Sequence, residues 1–271
     1  MPLHVERRGR VALLTLDDPD RRNALTADIV EAMIAAVGDA ESDESVGAIV
    51  VTGAPPAFCS GADTSRLAAM GADSGSTGDR RRARRSSEET PPAASTNADD
   101  DVRGIYDGFL CVRDCALPTV AAVNGPAVGA GFNLALCCDV RIAAASARFD
   151  SRFVHIGLHP GGGHAWMLER AAGPQAAAAM VLFGERVDGA RAAELGLAWR
   201  CVPDDAVVDE AVALAERAAS GPPEVVRAVK ATLREVPWQP DFEAAVTLEL
   251  ERQRRSFEQG WVTERVQGRD R

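Results

Sequence analysis

The sequence predicts an α/β fold in which strands and helices alternate in layers. Three times along the chain, an apolar run typical of a strand is followed by a glycine-rich turn and then by apolar residues at helical spacing. The three apolar runs are VGAIVVTG at 46–53, PTVAAVNG at 118–125 and VRIAAASARF at 140–149. From residue 184 onward, helical patterns dominate. Repeated units of strand, turn and helix place candidate sites at the ends of the strands.

The first predicted elements are a strand and a capped helix. VALLTLDDP at 11–19 is a short apolar run ended by Asp-Asp-Pro, which is typical of a strand that stops at a turn. From Thr26 to about Ala40, apolar residues recur at helical spacing behind Thr26, which is placed to cap the first turn. These apolar residues are Ile29, Val30, Met33, Ile34 and Val37.

We expect a core over residues 1–200 and a C-terminal helical region over 201–271. Residues 70–100 are rich in Gly, Ser, Pro and charge, which predicts an irregular loop within the core. Its basic run, Arg80 to Arg85, could hold a polyphosphate or a partner, but the acidic residues that follow favour a solvated loop. Helical patterns in the C-terminal region lie near 205–219, 222–234 and 241–265.

Length and composition limit the class of protein. The chain has 271 residues, 46% of them hydrophobic, enough for the core of one large soluble domain, alone or with a small appendage. It has no uniformly apolar run of the ~18 residues that a membrane span requires. The polar start MPLHVERRGR lacks the apolar segment of a secretory signal, so we expect a cytoplasmic protein.

Charge and cysteine content exclude further classes. A net charge of −10 argues against a general nucleic-acid or anionic-membrane surface, so an anionic ligand must be held by local basic groups and backbone N–H donors. The six cysteines form neither a CxxC pair nor a Cys/His ligand cluster. We therefore expect reduced, packed thiols and no metal site.

Two glycine-containing turns are the strongest candidates for a site. AFCSGAD at 57–63 and GPAVGAGFN at 125–133 each follow an apolar strand and precede a predicted helix. Each can leave backbone N–H groups unpaired near the positive end of a helix dipole. Two such donors directed at one carbonyl oxygen form an oxyanion hole. Neither turn is a P-loop, because the Gly-Lys-Ser/Thr ending is absent.

Taken together and in order, five stretches resemble the crotonase (enoyl-CoA hydratase/isomerase) superfamily. They are PDRRNAL at 19–25, AFCSGAD at 57–63, AVNGPAVGAGFNLALCCDVRIA at 122–143, GLHPGGG at 157–163 and GERVDGARAAELGLAWRCVP at 184–203. The resemblance implies a spiral of repeated ββα units with a C-terminal helical region. It also implies a homotrimer or dimer of trimers that binds an acyl-CoA thioester, with no cofactor beyond the coenzyme A moiety of the substrate.

The resemblance also assigns roles by position. The backbone N–H groups of Ser60 and Ala130 are expected to hold the thioester oxygen and to stabilise an enolate-like intermediate. The expected coenzyme A contacts are Arg22, Ala24 and Leu25 along the pantetheine and phosphates, Ala62, Asp63 and Thr64 around the adenine, and Gly129 beside the thioester. Arg21 and Arg22 also supply local positive charge in an acidic protein.

The sequence departs from the family at the positions that would transfer protons. Hydratases of this family place one glutamate in the helix after the glycines and another after the next strand, because addition of water needs an acid and a base together. Asn133 and Phe153 occupy these positions here. An amide can hydrogen-bond a water, a ligand carbonyl or nearby backbone groups, and Phe153 is expected to line the acyl pocket. A hydratase that uses the usual glutamate pair is therefore not expected.

Histidines are the candidate replacements. His155 lies two residues beyond Phe153, so it would share that face on a strand but point elsewhere on a helical turn. His159 and His164 bracket PGGG. A histidine near its ordinary pKa is a competent acid or base. We rank His155 first and His159 second, against a capping or core role for each.

Three functions stay open from the sequence. The first is an acyl-CoA enzyme in which a group other than the glutamate pair moves the proton. The second is an acyl-CoA-binding protein that kept the cleft and lost the chemistry. The third is a hydrolase that forms an acyl-enzyme on Ser60, although no G-x-S-x-G elbow surrounds that serine.

Overall fold

The computed structural model describes residues 2–63 and 96–267, and two β-sheets lie at its centre. The strands are β1 (Leu3–Arg8), β2 (Val11–Leu16), β3 (Ala48–Gly53), β4 (Thr119–Val123), β5 (Pro126–Val128), β6 (Val140–Ala144), β7 (Arg148–Asp150), β8 (Val187–Asp188) and β9 (Arg200–Val202). The larger sheet has the order β1-β2-β3-β4-β6-β9 and is parallel except for the β1–β2 hairpin. The smaller sheet has the order β5-β7-β8.

The smaller sheet explains why one predicted strand is two. The run VRIAAASARF contains β6 and β7, which are separated by a turn closed by the Ala147 N–H to Ala144 O hydrogen bond at 3.0 Å. The two strands belong to different sheets. β7 pairs in parallel with β5, and Val128 lies opposite Asp150. The ends of β5 and β7 are therefore adjacent, immediately before Gly129 and Ser151.

Helices cover the sheets. They are α1 (Ala27–Ser42), α2 (Thr96–Asp114), α3 (Ala130–Cys137), α4 (His164–Leu182), α5 (Gly189–Glu194), α6 (Val207–Ala219), α7 (Pro223–Glu235), α8 (Phe242–Glu258) and α9 (Trp261–Gln267). As predicted, the Thr26 side chain caps α1 and accepts from the Ile29 N–H at 3.4 Å. Residues 96–100, which the sequence assigns to the irregular loop, belong to α2. Most of the predicted loop, residues 70–95, lies outside the described residues.

The core is centred on β3 and β4, which are buried at every position. Such continuous burial is typical of parallel strands covered on both faces. α6 packs against these strands, and α1 packs against α2. Because β9 completes the sheet and α6 is packed on it, both belong structurally with the core although they follow residue 200. The domain boundary inferred at residue 200 stays a prediction.

The later helices expose more apolar surface. Exposed apolar side chains lie on α7, on α8, on α9 and on the 3-10 turn Val236–Trp238. They are Val229, Leu233, Trp238, Phe242, Val246, Leu250, Phe257, Val262 and Val266. Lys230, the buried residue of α7, ties this region to the core through Asp139 at 2.7 Å and the Leu117 carbonyl oxygen. Among the described helices, none is long and apolar enough to cross a membrane.

Candidate functional site

The two glycine-containing turns predicted from the sequence lie against each other. Cys59 and Ala127 form an isolated parallel bridge between them. Gly61 has φ +97°, and a Cβ there would lie 2.6 Å from the Val128 carbonyl oxygen and 3.3 Å from the Ala130 nitrogen. Only glycine permits this approach. The backbone around Gly61 and that around Ala130 therefore border one site.

Ser60 does not supply the predicted oxyanion donor. Its N–H donates to the Arg22 carbonyl oxygen at 3.0 Å, and its hydroxyl donates to the Arg21 carbonyl oxygen at 3.0 Å. The loop before α1 uses both groups, with Arg22 at φ 52° and Asn23 at φ 57°. The prediction that the Ser60 N–H holds a thioester oxygen is wrong, because that N–H already has an acceptor.

The neighbouring residue Ala62 offers an N–H in its place. Ala62 forms a parallel bridge with Leu25. In this bridge the Leu25 N–H donates to the carbonyl oxygen of Gly61 at 2.8 Å, a hydrogen bond that does not involve the Ala62 N–H. Ala130 is the first residue of α3, where helix geometry leaves N–H groups without partners. Within residues 2–63 and 96–267, no carbonyl accepts from the Ala62 or the Ala130 N–H.

Gly129 fixes the orientation of the Ala130 N–H. Gly129 has φ 54° and ψ −117°, a conformation that side chains exclude. Its own N–H donates to the Asp150 carbonyl oxygen at 2.9 Å, so the end of β7 holds the turn in place. A Cβ on Gly129 would meet no described atom within 4 Å. Open space therefore borders the turn.

Asn133 lies one turn into α3 and belongs to a buried polar chain. Its Nδ2 donates to the Gly161 carbonyl oxygen at 3.0 Å, and its Oδ1 lies 2.6 Å from His164 Nδ1. His164 Nε2 lies 2.8 Å from Ser151 Oγ. Asn133, His164 and Ser151 are each at most 2% exposed.

The hydrogen-bond partners decide the tautomer of His164. Because an amide oxygen only accepts, the His164 Nδ1–H must donate to Asn133. Nε2 is then the acceptor for the Ser151 hydroxyl. Phe132 and Phe153 pack on the imidazole with ring centres 5.2 and 5.0 Å away. Burial among these groups lowers the pKa of His164 to about 4, so it is neutral at pH 7.

The two histidines ranked first from the sequence lie elsewhere. Phe153–Ile156 forms a 3-10 turn rather than a strand, so His155 leaves the face of Phe153. His155 is exposed and lies against Gly184. His159 is also exposed, with Nδ1 2.7 Å from the Pro160 carbonyl oxygen. The structure instead joins His164 and Ser151 to Asn133, and the sequence signal for this was a histidine opening a helix directly after three glycines.

Comparison with known proteins identifies the family. The sequence model of the enoyl-CoA hydratase/isomerase family matches residues 6–83 and 92–267. The chain belongs to this family. It is an acyl-CoA enzyme of the superfamily, as the resemblance predicted.

Relatives include hydratases and an isomerase. EchA14 of Mycobacterium tuberculosis, named as a probable enoyl-CoA hydratase, is 50% identical over 224 residues, covering 83% of this chain and 78% of that protein. An enoyl-CoA hydratase structure from Polaromonas sp. JS666 matches with TM-score 0.83 and 28% identity, covering 97% of this chain and 95% of that one. A monofunctional enoyl CoA isomerase structure from M. smegmatis has TM-score 0.71 and 29% identity, covering 90% and 98%. These structures confirm the predicted crotonase fold.

The residues expected along coenzyme A are partly accessible. Arg22 is exposed, whereas Ala24 is 6% and Leu25 0% exposed, so these two side chains belong to the core. Ala62 and Asp63 are half-buried beside the turn. Thr64 lies outside the described residues. An enoyl-CoA hydratase/isomerase could therefore contact its ligand here through Arg22 and backbone edges.

The loop that carries Arg22 is firmly attached to the site. Buried Asn23 donates from Nδ2 to the carbonyl oxygens of Ala54 and Ala57 at 2.8 Å each, and its Oδ1 accepts from the Asp18 N–H at 3.0 Å. The loop therefore holds Arg22 at a fixed distance from the AFCSGAD turn.

No group of three His, Cys, Asp or Glu side chains in the described part of the chain could hold a metal ion. Cys59, which is buried within the AFCSGAD turn, is not a nucleophile at pH 7, because burial raises the pKa of its thiol to about 12. The polar groups that the structure brings together at this site are the backbone N–H groups and the chain of Ser151, His164 and Asn133.

Proposed function

We propose that this enzyme binds an acyl-CoA thioester with its carbonyl oxygen between the Ala62 and Ala130 N–H groups and stabilises an enolate-like intermediate there. The observation that carries the proposal is the pair of N–H groups on adjoining turns, neither of which donates within the described residues. Gly61 lets the two turns approach each other, and the open space at Gly129 leaves room for a ligand to approach the backbone.

Such a pair of donors acts where charge develops. Removing the proton at C2 of a thioester moves the electron pair onto the carbonyl oxygen, and two fixed N–H groups stabilise that oxyanion more than the neutral carbonyl. Ala130 is also the first residue of α3, so the positive end of its helix dipole adds to the effect. One such donor is worth roughly 100-fold or more in rate.

The anionic end of coenzyme A needs local positive charge. The protein as a whole is acidic, at −10, but Arg21 and Arg22 are exposed on the loop that Asn23 holds against the site. Guanidinium groups match phosphate geometry. This placement supports the predicted phosphate contact at Arg22.

A second candidate function is acyl-CoA binding without turnover. It is favoured by the positions that carry glutamates in hydratases, because Phe153 has no proton to transfer and the Asn133 amide is bound to Gly161 and His164. Binding alone would need the cleft and the arginines but no C2 chemistry. The two functions differ in whether the C2 hydrogens of a bound thioester exchange with solvent.

The Ala130→Pro variant tests the oxyanion hole. Proline at the first position of a helix is well tolerated, so this change removes the donor with little harm to α3. We expect exchange of the C2 hydrogens of a saturated acyl-CoA in deuterated water, followed by mass spectrometry, to slow by roughly 100-fold or more.

The matched control is Ala27→Pro, at the first position of α1, which should leave exchange unchanged. Equal exchange rates in both variants would contradict the proposed oxyanion hole. Tight binding with no exchange in the unmodified protein would instead support the binding-only function.

The family resemblance also leads us to propose a homotrimer or dimer of trimers. The exposed apolar side chains of α7, α8 and α9 support an assembly that covers them. Sedimentation of the purified protein tests this, and a single monomeric species at micromolar concentration would contradict it.

A further inference from the structure

The buried chain of Ser151, His164 and Asn133 lies directly beside the proposed oxyanion hole. Val128 pairs with Asp150 across β5 and β7, so the next residues, Gly129 and Ser151, lie side by side. The Gly129 N–H to Asp150 O bond at 2.9 Å closes this contact. Since Ala130 follows Gly129, the backbone of Ser151 borders the turn that carries the proposed Ala130 donor.

The Asn133 side chain forms its hydrogen bonds within the protein rather than with a ligand. Its Oδ1 accepts from His164, and its Nδ2 donates to Gly161. In this arrangement a hydroxyl donates to an imidazole, and the other imidazole nitrogen is fixed by a carbonyl-type oxygen. This is the geometry by which proteins activate a hydroxyl through a base and an orienting group.

We infer that Ser151 and His164 together carry the proton in this site, that Asn133 orients the imidazole, and that the reaction is a 1,3-proton shift on an enoyl-CoA thioester rather than addition of water. The inference rests on the proposed function and names its proton-transfer group.

The steps balance with no further reactant. In a 3-enoyl thioester, the Ser151 oxygen takes a proton from C2 while its own proton moves to His164 Nε2. The C2–H electron pair passes through the enolate, whose oxygen accepts from Ala62 and Ala130. Return of a proton from Ser151 to C4, with His164 giving its proton back to Ser151, moves the double bond to C2–C3 and restores both side chains.

The Ser151–His164 pair is better suited to a 1,3-proton shift than to hydration. Addition of water needs a base for the water and an acid for C2 at the same time, whereas a proton shift uses one group twice. Asp150, the carboxylate next to Ser151, is bound by Arg152 at 3.1 Å and Arg186 at 3.0 Å. An imidazole whose pKa is about 4 has the basicity of an ordinary carboxylate, whose pKa is about 4.3 for glutamate.

The test uses a 3-enoyl-CoA labelled with deuterium at C2, turned over in ordinary water by the full-length protein. We expect 2-enoyl-CoA with part of the label at C4, because a buried pair returns some of the deuterium that it removes. Ser151→Ala and His164→Asn should each lower turnover by roughly 100-fold or more. In His164→Asn, the new side chain can still donate to Asn133 but offers no acceptor to Ser151. Keeping the hydrogen bond to Asn133 helps to distinguish lost turnover from unfolding.

Controls and opposing outcomes separate the claims. Ser42→Ala and His4→Gln, both exposed and outside the site, should match the unmodified protein. Acyl-CoA affinity should be similar in all variants, each variant should still unfold cooperatively, and Ser151→Thr should recover part of the turnover by restoring a hydroxyl. Three results would overturn the inference: a 3-hydroxyacyl-CoA product, a covalent acyl group on Ser151, or full turnover by Ser151→Ala. If exchange at C2 persists in Ser151→Ala, the oxyanion hole stands and only the proton carrier is wrong.

Discussion

Two histidines nine residues apart, His155 and His164, end in opposite environments. His155 lies in an exposed 3-10 turn against Gly184, whereas His164 opens α4 and is 1% exposed between Asn133 and Ser151. Sequence ranks the first above the second because it lies closer to Phe153. The difference shows that the element that carries a side chain, rather than its distance along the chain, decides whether it reaches the site.

The largest expected effect separates these two histidines directly. His164→Asn should slow C2 exchange by roughly 100-fold or more, whereas His155→Gln should change it by less than about twofold, because an exposed side chain outside the polar chain does not move the proton. The measurement is deuterium uptake into a saturated acyl-CoA. Loss of exchange in His155→Gln with retention in His164→Asn would restore the ranking made from sequence.

Stability against pH should also distinguish His164. Its pKa is about 4 in the folded protein and about 6.5 in the unfolded chain, so the unfolded state binds more protons between these values. Above pH 6.5 His164 has no effect on the pH dependence. As the pH falls from 6.5 to 4, it should remove about 3 kcal/mol from the free energy of unfolding.

The check is urea denaturation of the unmodified protein and of His164→Asn at several pH values. The unmodified protein should lose about 3 kcal/mol more than the variant between pH 7 and pH 4. Parallel curves would mean that burial does not hold His164 neutral.

A matched pair of glycines, one beside each histidine environment, extends the comparison to packing. Gly162 has φ +64°, and a Cβ there would overlap the Phe109 ring and lie 3.1 Å from Asn133 Nδ2. Gly184 has φ +69°, and its Cβ would meet the exposed His155 ring. Gly162→Ala should cost about 2–5 kcal/mol and lower activity, whereas Gly184→Ala should cost about 1–2 kcal/mol and leave activity intact. Equal losses of stability and activity in thermal unfolding and exchange assays would contradict the difference between the two environments.

Much of the fold followed from local pattern. The buried strands β3 and β4, helix α1 and its Thr26 cap depend on periodicity and turn chemistry, which nearby residues determine. The break between β6 and β7 was not predicted, because residues 145–147 contain no Gly or Pro to mark a turn and only the pairing of β6 with β4 and of β7 with β5 separates the two strands. Helix α2 was not predicted at all: its polar, acidic opening was assigned to the irregular loop, and no element was assigned to the residues that follow it.

The location of the candidate site was predictable from the sequence, but the role of each residue in it was not. The Ser60 N–H is taken by Arg22, thirty-eight residues earlier in the chain, and no local pattern shows such a partner. The role of Asn133 likewise depends on His164, which reaches it only when α3 and α4 pack together. The absence of glutamates at residues 133 and 153 is visible in the sequence, and it raises the question of which other group carries the proton.

The most direct test of the central claim is a crystal structure of this protein with a bound enoyl-CoA thioester or a stable thioether analogue. We expect the carbonyl oxygen, or its counterpart, to lie within about 2.7–3.1 Å of both the Ala62 and Ala130 nitrogens. C2 should then lie beside the Ser151 hydroxyl. A ligand whose carbonyl contacts neither N–H group, or whose C2 faces away from Ser151, would contradict it.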